Sequence, residues 1–290
     1  MTFDERALAF PCQGEQLYGI LSLPEHAATR GVLIIVGGPQ YRAGSHRQFA
    51  LLARHLAAQG IPTMRFDYRG MGDSQGDQRN FEEAEDDIRA AVDHFFDSVP
   101  GLQEVVIWGL CDAASAAAFY GHRDARVRGL VLLNPWVRTE HGLAQAFLKR
   151  YYFQRVLEAG LWRKILRGDF DFVAACRSFT SLLRTARPRA TGDASVANAS
   201  EESQSPAASL PGRMYDGLRR FEGQVMLILS GDDMTAQEFS ELVSSSRKWR
   251  QLIKSRKIIR RKLPGANHTF SRQVWRDQVA TWTVEWIRAW

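Results

Sequence analysis

The segment that most constrains the fold is VVIWGLCDAAS, residues 105–115, where an apolar run meets a run of small residues at Cys111. The apolar run predicts a buried strand, and the alanines after it predict a helix. A strand that turns this sharply into a helix is typical of a nucleophile elbow, written G-x-S-x-G, which lifts its central side chain above a sheet. Here Cys111 stands in the serine position and Ala113 replaces the second glycine.

Short apolar runs alternate with helix-like stretches along the rest of the chain, which predicts an α/β fold with a mostly parallel central sheet and helices on both faces. An opening pair of runs, 7–11 and 17–23, predicts an antiparallel hairpin. The other predicted strands are 32–36, 63–67, 105–108, 130–134, 225–230 and 257–263, and the predicted helices are 47–59, 81–98, 113–120, 238–247 and 274–290.

The alternation breaks once, at residues 138–222, where the connection is far longer than usual. We therefore predict a core formed by residues 1–137 and 223–290, with an inserted lid between them. Residues 144–167 interleave apolar and basic side chains, which predicts amphipathic helices in the lid. Residues 187–212 are rich in Ala, Ser, Pro, Gly and acidic residues, which predicts a flexible loop.

The net charge of +6 is a local feature of the chain. Nine Lys or Arg and no acidic residue fall within residues 247–262, whereas the remainder is slightly acidic. This segment predicts a helix leading into a strand, whose apolar positions are Trp249, Leu252, Ile253, Ile258 and Ile259. A solvated basic face is the preferred interpretation, so no nucleic-acid partner is predicted. Contact between the basic, apolar lid and a membrane surface is left open.

The first residues of the sequence and its cysteines bear on the cellular compartment of the protein. No apolar run has the length of a membrane span, and MTFDERALAF lacks the features of a secretion signal, so we expect a cytoplasmic protein. Cys12, Cys111 and Cys176 are widely spaced and form no C-x-x-C pattern, so neither a disulfide framework nor a zinc site is predicted. Cys12 and Cys176 are interpreted as packing residues.

Two further candidate residues follow later strands. Asp233 comes just after the predicted strand 225–230, and His268 follows the last predicted strand in the motif GANH. Because the carboxyl ends of parallel strands meet at one edge, we expect Cys111, Asp233 and His268 to lie together. His268 would take the thiol proton, and Asp233 would orient the imidazole. Asp232 is kept as the alternative acid.

Negative charge that develops on a substrate carbonyl oxygen needs fixed hydrogen-bond donors. The backbone N–H of Asp112 is expected to supply one. The turn after the predicted strand 32–36 is expected to supply the other; Pro39 has no N–H, which leaves Gly38 or Gln40, with Gly38 preferred. An interpretation in which the glycines only permit a tight loop stays open. This chemistry calls for no metal and no organic cofactor.

Two further groups of residues lie in turns that follow predicted strands. Tyr41 and Arg42 are candidate contacts for a carboxylate or phosphate on the substrate. In the motif RFDYRGMGDS, Asp67 and Arg69 are expected to hold the loop by hydrogen bonds rather than to contact substrate.

A family resemblance rests on several of these motifs together. GGPQYRAGSHRQF, RFDYRGMGDSQG, GLCDAAS, LLNPWV, SGDDMTAQEF and PGANHTFS resemble the alpha/beta hydrolases called exosortase A system-associated hydrolase 1, over most of the chain outside residues 187–212. The resemblance implies an alpha/beta-hydrolase fold in a cytoplasmic bacterial hydrolase, associated with exopolysaccharide and exosortase gene clusters, with a cysteine in the serine position. More distantly, a Cys-His-Asp site in this fold is similar to dienelactone hydrolase, which lacks so large a lid.

The sequence therefore predicts hydrolysis of an ester or thioester through an acyl-enzyme on Cys111, with a small-molecule or carrier-bound acyl substrate. Acyl transfer to a sugar or lipid on the same site is the nearest alternative. From a different class, a non-catalytic interaction protein that keeps the hydrolase scaffold is supported by the cysteine in place of serine.

Overall fold

The computed structural model describes residues 2–38, 40–137 and 209–290, and within them eight strands form one sheet. The strands are β1 (Phe3–Cys12), β2 (Glu15–Pro24), β3 (Arg30–Ile35), β4 (Thr63–Phe66), β5 (Glu104–Leu110), β6 (Val127–Leu133), β7 (Gln224–Ser230) and β8 (Ile258–Leu263). Their order across the sheet is β1-β2-β4-β3-β5-β6-β7-β8. β2 pairs antiparallel with β1 and β4, and every pair from β4 across to β8 is parallel. The predicted hairpin and mostly parallel sheet are confirmed.

Seven α-helices accompany these strands in the described ranges. They are α1 (Gln48–Ala58), α2 (Glu85–Ser98), α3 (Asp112–Tyr120), α4 (Leu210–Arg220), α5 (Met234–Ser245), α6 (Arg247–Ile253) and α7 (Gln273–Arg288). β3 and β5 lie in the middle of the sheet, and their apolar side chains are buried on both faces, as the continuous apolar runs predicted. At the sheet edge, β1 buries only part of its length, which suits a strand with one solvated face.

Helix α5 begins four residues earlier than predicted. The Asp233 side chain accepts a hydrogen bond from the Ala236 N–H through Oδ2 at 3.0 Å, so Asp233 caps the helix directly after β7. The basic segment forms α6 and β8 as predicted, and four of its five apolar positions are buried. The fifth, Ile259, is 38% exposed because it lies on the edge strand β8.

Helix α4 was not predicted, although it lies in residues assigned to the insertion. Ser209 caps it by accepting from the Gly212 N–H, and Met214 and Leu218 face the interior. α4 packs against α3, which follows Cys111, so this helix belongs to the surroundings of the candidate site. The first three residues of α4 overlap the end of the predicted flexible loop.

The predicted lid helices at 144–167, the rest of the loop at 187–212 and Cys176 lie outside the described residues. Among the helices that the structure describes, none combines the length and the hydropathy that crossing a bilayer requires.

The contact between α4 and α3 depends on a glycine. A Cβ on Gly217 would lie 2.1 Å from the Ala118 carbonyl oxygen, which is backbone and cannot simply rotate away. We expect Gly217→Ala to lower the free energy of unfolding by about 1–3 kcal/mol, the usual cost of overpacking. Urea denaturation measures the loss. The exposed substitution Arg220→Ala on the same helix should stay within about 0.5 kcal/mol of the parent, and equal effects of the two changes would contradict the packing argument.

Candidate active site

Cys111 occupies a strained turn at the carboxyl end of the central strand β5. Its backbone has φ 64° and ψ −123°, a conformation that residues other than glycine rarely adopt. The turn is so tight that a Cβ on Gly109 would lie only 2.7 Å from the backbone of Ala113. This geometry is the nucleophile elbow that the sequence predicted, and it leaves the Cys111 side chain partly exposed above the sheet.

Hydrogen bonds to the neighbouring strand hold the turn. The Cys111 N–H donates to the Leu133 carbonyl at 2.8 Å, which ties the turn to the end of β6. The Cys111 carbonyl accepts from the N–H groups of Ala114 and Trp136, both at 3.1 Å. The Ser115 hydroxyl donates to the Trp136 carbonyl at 2.6 Å. The sulfur is therefore presented by backbone that is fixed on both sides.

His268 lies between the two other predicted residues. Its Nδ1 is 2.9 Å from Asp233 Oδ1, and the Cys111 side chain is close enough to raise the pKa of the imidazole. The Asp233 side chain is 8% exposed and that of His268 is 34% exposed. The structure therefore brings together the three side chains that the sequence predicted to converge.

Asp232, the alternative acid, is not part of this chain. Its side chain is exposed, and its backbone N–H donates to the Ala266 carbonyl at 2.9 Å. The structure brings Asp233 to His268 because the capping turn at the start of α5 points the Asp233 carboxylate back toward the loop that carries His268.

The electrostatics of His268 and Asp233 favour a charged imidazole. The hydrogen bond to Asp233 is the largest cause that raises the pKa of His268, to about 10, and the hydrogen bond to Cys111 adds to it while burial opposes it. Burial would raise the pKa of Asp233, but the His268 hydrogen bond and the N–H groups of Ala236 and Thr235 lower it below its usual value. An imidazolium beside the sulfur stabilises a thiolate.

Asn134, in the motif LLNPWV, contacts the histidine loop and was not among the predicted site residues. It is fully buried at the end of β6, with φ 43°. Its side-chain amide donates to the His268 carbonyl at 3.1 Å and its Oδ1 accepts from the Ser230 N–H at 2.9 Å. One side chain therefore links the ends of β6 and β7 to the histidine loop.

The two candidate oxyanion donors of the turn after β3 differ in their surroundings. The Gln40 N–H is directed within its own turn, toward the Gly37 carbonyl at 3.4 Å. The Gly38 N–H points at the nucleophile elbow and donates to the Asp112 carboxylate, at 2.7 Å from Oδ2. Gly38 is therefore the residue whose N–H faces the site, and the Asp112 side chain is already bound to it.

Ion pairs hold the loops around the turn that follows β3. The Arg42 guanidinium binds the fully buried Asp67 carboxylate and also Asp73. Arg69 binds the buried carboxylate of Asp87. Asp67 and Arg69 therefore have the loop-holding contacts that the sequence predicted, and Arg42 is engaged by two carboxylates of the chain itself.

Cys12 has a different environment from Cys111. Its buried thiol donates to Asp87 Oδ1 at 3.1 Å. Burial, followed by the hydrogen bond and charge of Asp87, raises the pKa of the Cys12 thiol to about 12. Within the described ranges, no group of three or more His, Cys, Asp or Glu side chains is placed to hold a metal ion.

The sheet order, the elbow after β5 and the acid and histidine after later strands define an alpha/beta hydrolase. The family model described as serine aminopeptidase, S33, matches residues 27–190. This is more than half of the chain, and the chain belongs to that family. The matched residues include Cys111 and end before Asp233 and His268.

Solved structures share the fold at low sequence identity. The esterase Pf2001 of Pyrococcus furiosus superposes with a TM-score of 0.65 and 15% identity, over 99% of this chain and 93% of its own. Est1E of Butyrivibrio proteoclasticus, in a structure with ferulic acid bound, gives a TM-score of 0.59 and 13% identity, over 97% and 100% of the two chains. No curated protein sequence matches the chain.

The two described cysteines should react at different rates with an alkylating reagent. We expect iodoacetamide at pH 7.5 to modify Cys111 at least about tenfold faster than Cys12, because alkylation needs an accessible thiolate. Peptide mass spectrometry over time measures both rates. His268→Gln should slow modification of Cys111 and leave Cys12 unchanged; equal rates at the two cysteines would contradict the geometry.

The assignment of the acid can be tested through His268. Because its pKa is raised in the folded protein, the imidazolium persists at neutral pH and is lost only as the pH rises toward about 10. We expect Asp233→Asn to lower the titration midpoint of the imidazole, measured by NMR of its carbon-bound protons. The matched change Asp232→Asn should leave the midpoint close to that of the parent. A larger shift of the midpoint in Asp232→Asn than in Asp233→Asn would identify Asp232 as the partner of His268.

Proposed function

We propose that the chain is a cysteine-dependent hydrolase of esters or thioesters, with Cys111 as nucleophile, His268 as acid and base, and Asp233 as the residue that orients the histidine. The observation that carries the proposal is the hydrogen bond between Asp233 and His268 beside the Cys111 side chain, which is presented by a strained elbow. A small-molecule or carrier-bound acyl compound is the substrate.

In the first half of the reaction the Cys111 thiolate attacks the carbonyl carbon. A carbon–sulfur bond forms, and the electron pair of the carbonyl moves onto its oxygen, where backbone N–H groups stabilise it. The oxyanion then collapses and the bond to the leaving group breaks. The leaving alkoxide or thiolate takes its proton from the His268 imidazolium, so the acyl-enzyme is a thioester and His268 is neutral.

In the second half, water attacks the acyl-enzyme. Neutral His268 takes a proton from the attacking water, and a second oxyanion forms at the same donors. Its collapse breaks the carbon–sulfur bond, releases the carboxylic acid and restores the thiolate–imidazolium pair. Asp233 stays ionised throughout and keeps Nδ1 protonated.

Esters and thioesters are favoured over amides for two reasons. Their leaving groups depart more readily than an amine, so a thiolate acylates quickly. In addition, the structural neighbour Pf2001 is an esterase by name, although the family is named for an aminopeptidase. The resemblance of the motifs supports a biological setting in bacterial exopolysaccharide or exosortase systems, with the protein in the cytoplasm.

A non-catalytic interaction protein is the second candidate, and one observation favours it. The Gly38 N–H, which an oxyanion would need, is bound by the Asp112 carboxylate. If that contact were permanent, the scaffold would keep its hydrolase geometry without turnover. Acyl transfer from Cys111 to a sugar or lipid hydroxyl is a variant of the enzymatic proposal, in which the acceptor replaces water.

Acylation of Cys111 distinguishes these functions. We expect p-nitrophenyl acetate to release a burst of p-nitrophenol and to leave one acetyl group on the Cys111 peptide, detected by mass spectrometry. Cys111→Ala should abolish both signals, because the attacking sulfur is absent. The control Cys12→Ser keeps a hydroxyl donor for Asp87 and should retain the burst.

Three outcomes separate the candidates. Acetyl-enzyme that decays to acetate supports hydrolysis. Decay that accelerates when glucose is added, with acetylated glucose as product, supports transfer. If Cys111 reacts with iodoacetamide but neither the parent nor any variant forms an acyl adduct with any ester, the scaffold function is supported and the hydrolase proposal is wrong.

A further inference from the structure

The Asp112 carboxylate occupies the donors that the proposed reaction needs. Its Oδ2 accepts from the Gly38 N–H at 2.7 Å, and its Oδ1 accepts from the Ala113 N–H at 2.9 Å. It also interacts with its own backbone N–H. The donors expected from Asp112 and Gly38 are thus turned toward carboxylate oxygens of the chain, in the place where a substrate oxyanion would be held.

The turn after β3 is shaped around this carboxylate. A Cβ on Gly37 would lie 2.1 Å from Asp112 Oδ1, so only glycine at that position leaves room for the side chain. Gly38 has φ +56°, a left-handed conformation in which glycine is unstrained, and its N–H faces Asp112. The two consecutive glycines therefore have separate roles: Gly37 makes space, and Gly38 donates.

We propose that Asp112 is a gate on the acylation site: its carboxylate closes the oxyanion donors at rest, and the substrate carbonyl oxygen displaces it. The gate rests on the hydrolase function proposed above. Displacement exchanges charge-assisted hydrogen bonds for bonds to a neutral carbonyl, so a substrate must supply binding energy from contacts elsewhere. Small esters therefore acylate the gated site more slowly than they would an open one, and larger acyl groups are favoured.

The test compares two reactions of the same sulfur. Acylation by p-nitrophenyl acetate needs the oxyanion donors, whereas alkylation by iodoacetamide forms no oxyanion. The ratio of the acylation rate constant to the alkylation rate constant reports on the oxyanion donors, because a change in the thiolate affects both reactions. We expect Asp112→Ala, which keeps the backbone N–H groups, to raise this ratio at least about tenfold. Asp112→Asn should give a smaller rise, because its neutral amide oxygen still accepts from Gly38 but binds more weakly.

A control variant and a spectroscopic measurement complete the design. Asp277→Ala removes an exposed carboxylate on α7 and should leave the ratio unchanged. NMR of the Gly38 amide tests the contact directly: its proton should shift upfield in Asp112→Ala, as expected when a hydrogen bond to a carboxylate is lost.

Each outcome has a defined meaning. A raised ratio in Asp112→Ala supports the gate, and acylation that appears only in that variant supports it most strongly. If the parent is acylated but the ratio in Asp112→Ala does not rise, or the Gly38 amide does not shift, the gate is wrong and the hydrolase function stands. If no protein is acylated while Cys111 is alkylated, the hydrolase function is wrong and the gate falls with it.

Discussion

The backbone conformation of Cys111 is the constraint on which the rest of the site depends. A residue with a Cβ at φ 64° and ψ −123° costs on the order of 1–3 kcal/mol, which the surrounding fold must offset. The central position of β5 provides this, because buried apolar strands on both sides fix the end of the strand. The same turn starts α3, so one local conformation presents the sulfur and directs the first N–H groups of a helix at the space beside it.

Parallel pairing accounts for how distant residues meet. β5, β6, β7 and β8 run in the same direction, so their carboxyl ends lie at one edge of the sheet. Asn134 makes this edge rigid, since its buried amide joins the end of β7 to the backbone of His268. The histidine is consequently positioned by the sheet as well as by Asp233.

The features that the sequence predicted are those with a local signal. Runs of apolar residues located all eight strands, and the small residues around Cys111 located the elbow. Helix α4 was missed because its apolar side chains are few and Gly217 weakens its helical pattern, whereas its stability comes from contact with Ala118. The choice of Asp233 over Asp232 depends on a helix cap, and the roles of Asn134 and the Asp112 side chain depend on residues remote in sequence, which no local pattern encodes.

The charges at the site link the gate to the nucleophile. Burial raises the pKa of Asp112, and its backbone hydrogen bonds and His268 act in the opposite direction, so the imidazolium stabilises this carboxylate as well as the sulfur. When a carbonyl displaces the Asp112 carboxylate, the imidazolium loses one of its anionic partners, and Asp233 remains behind it. On the proposed mechanism the same displacement frees the oxyanion donors, so substrate binding prepares the site for attack by Cys111.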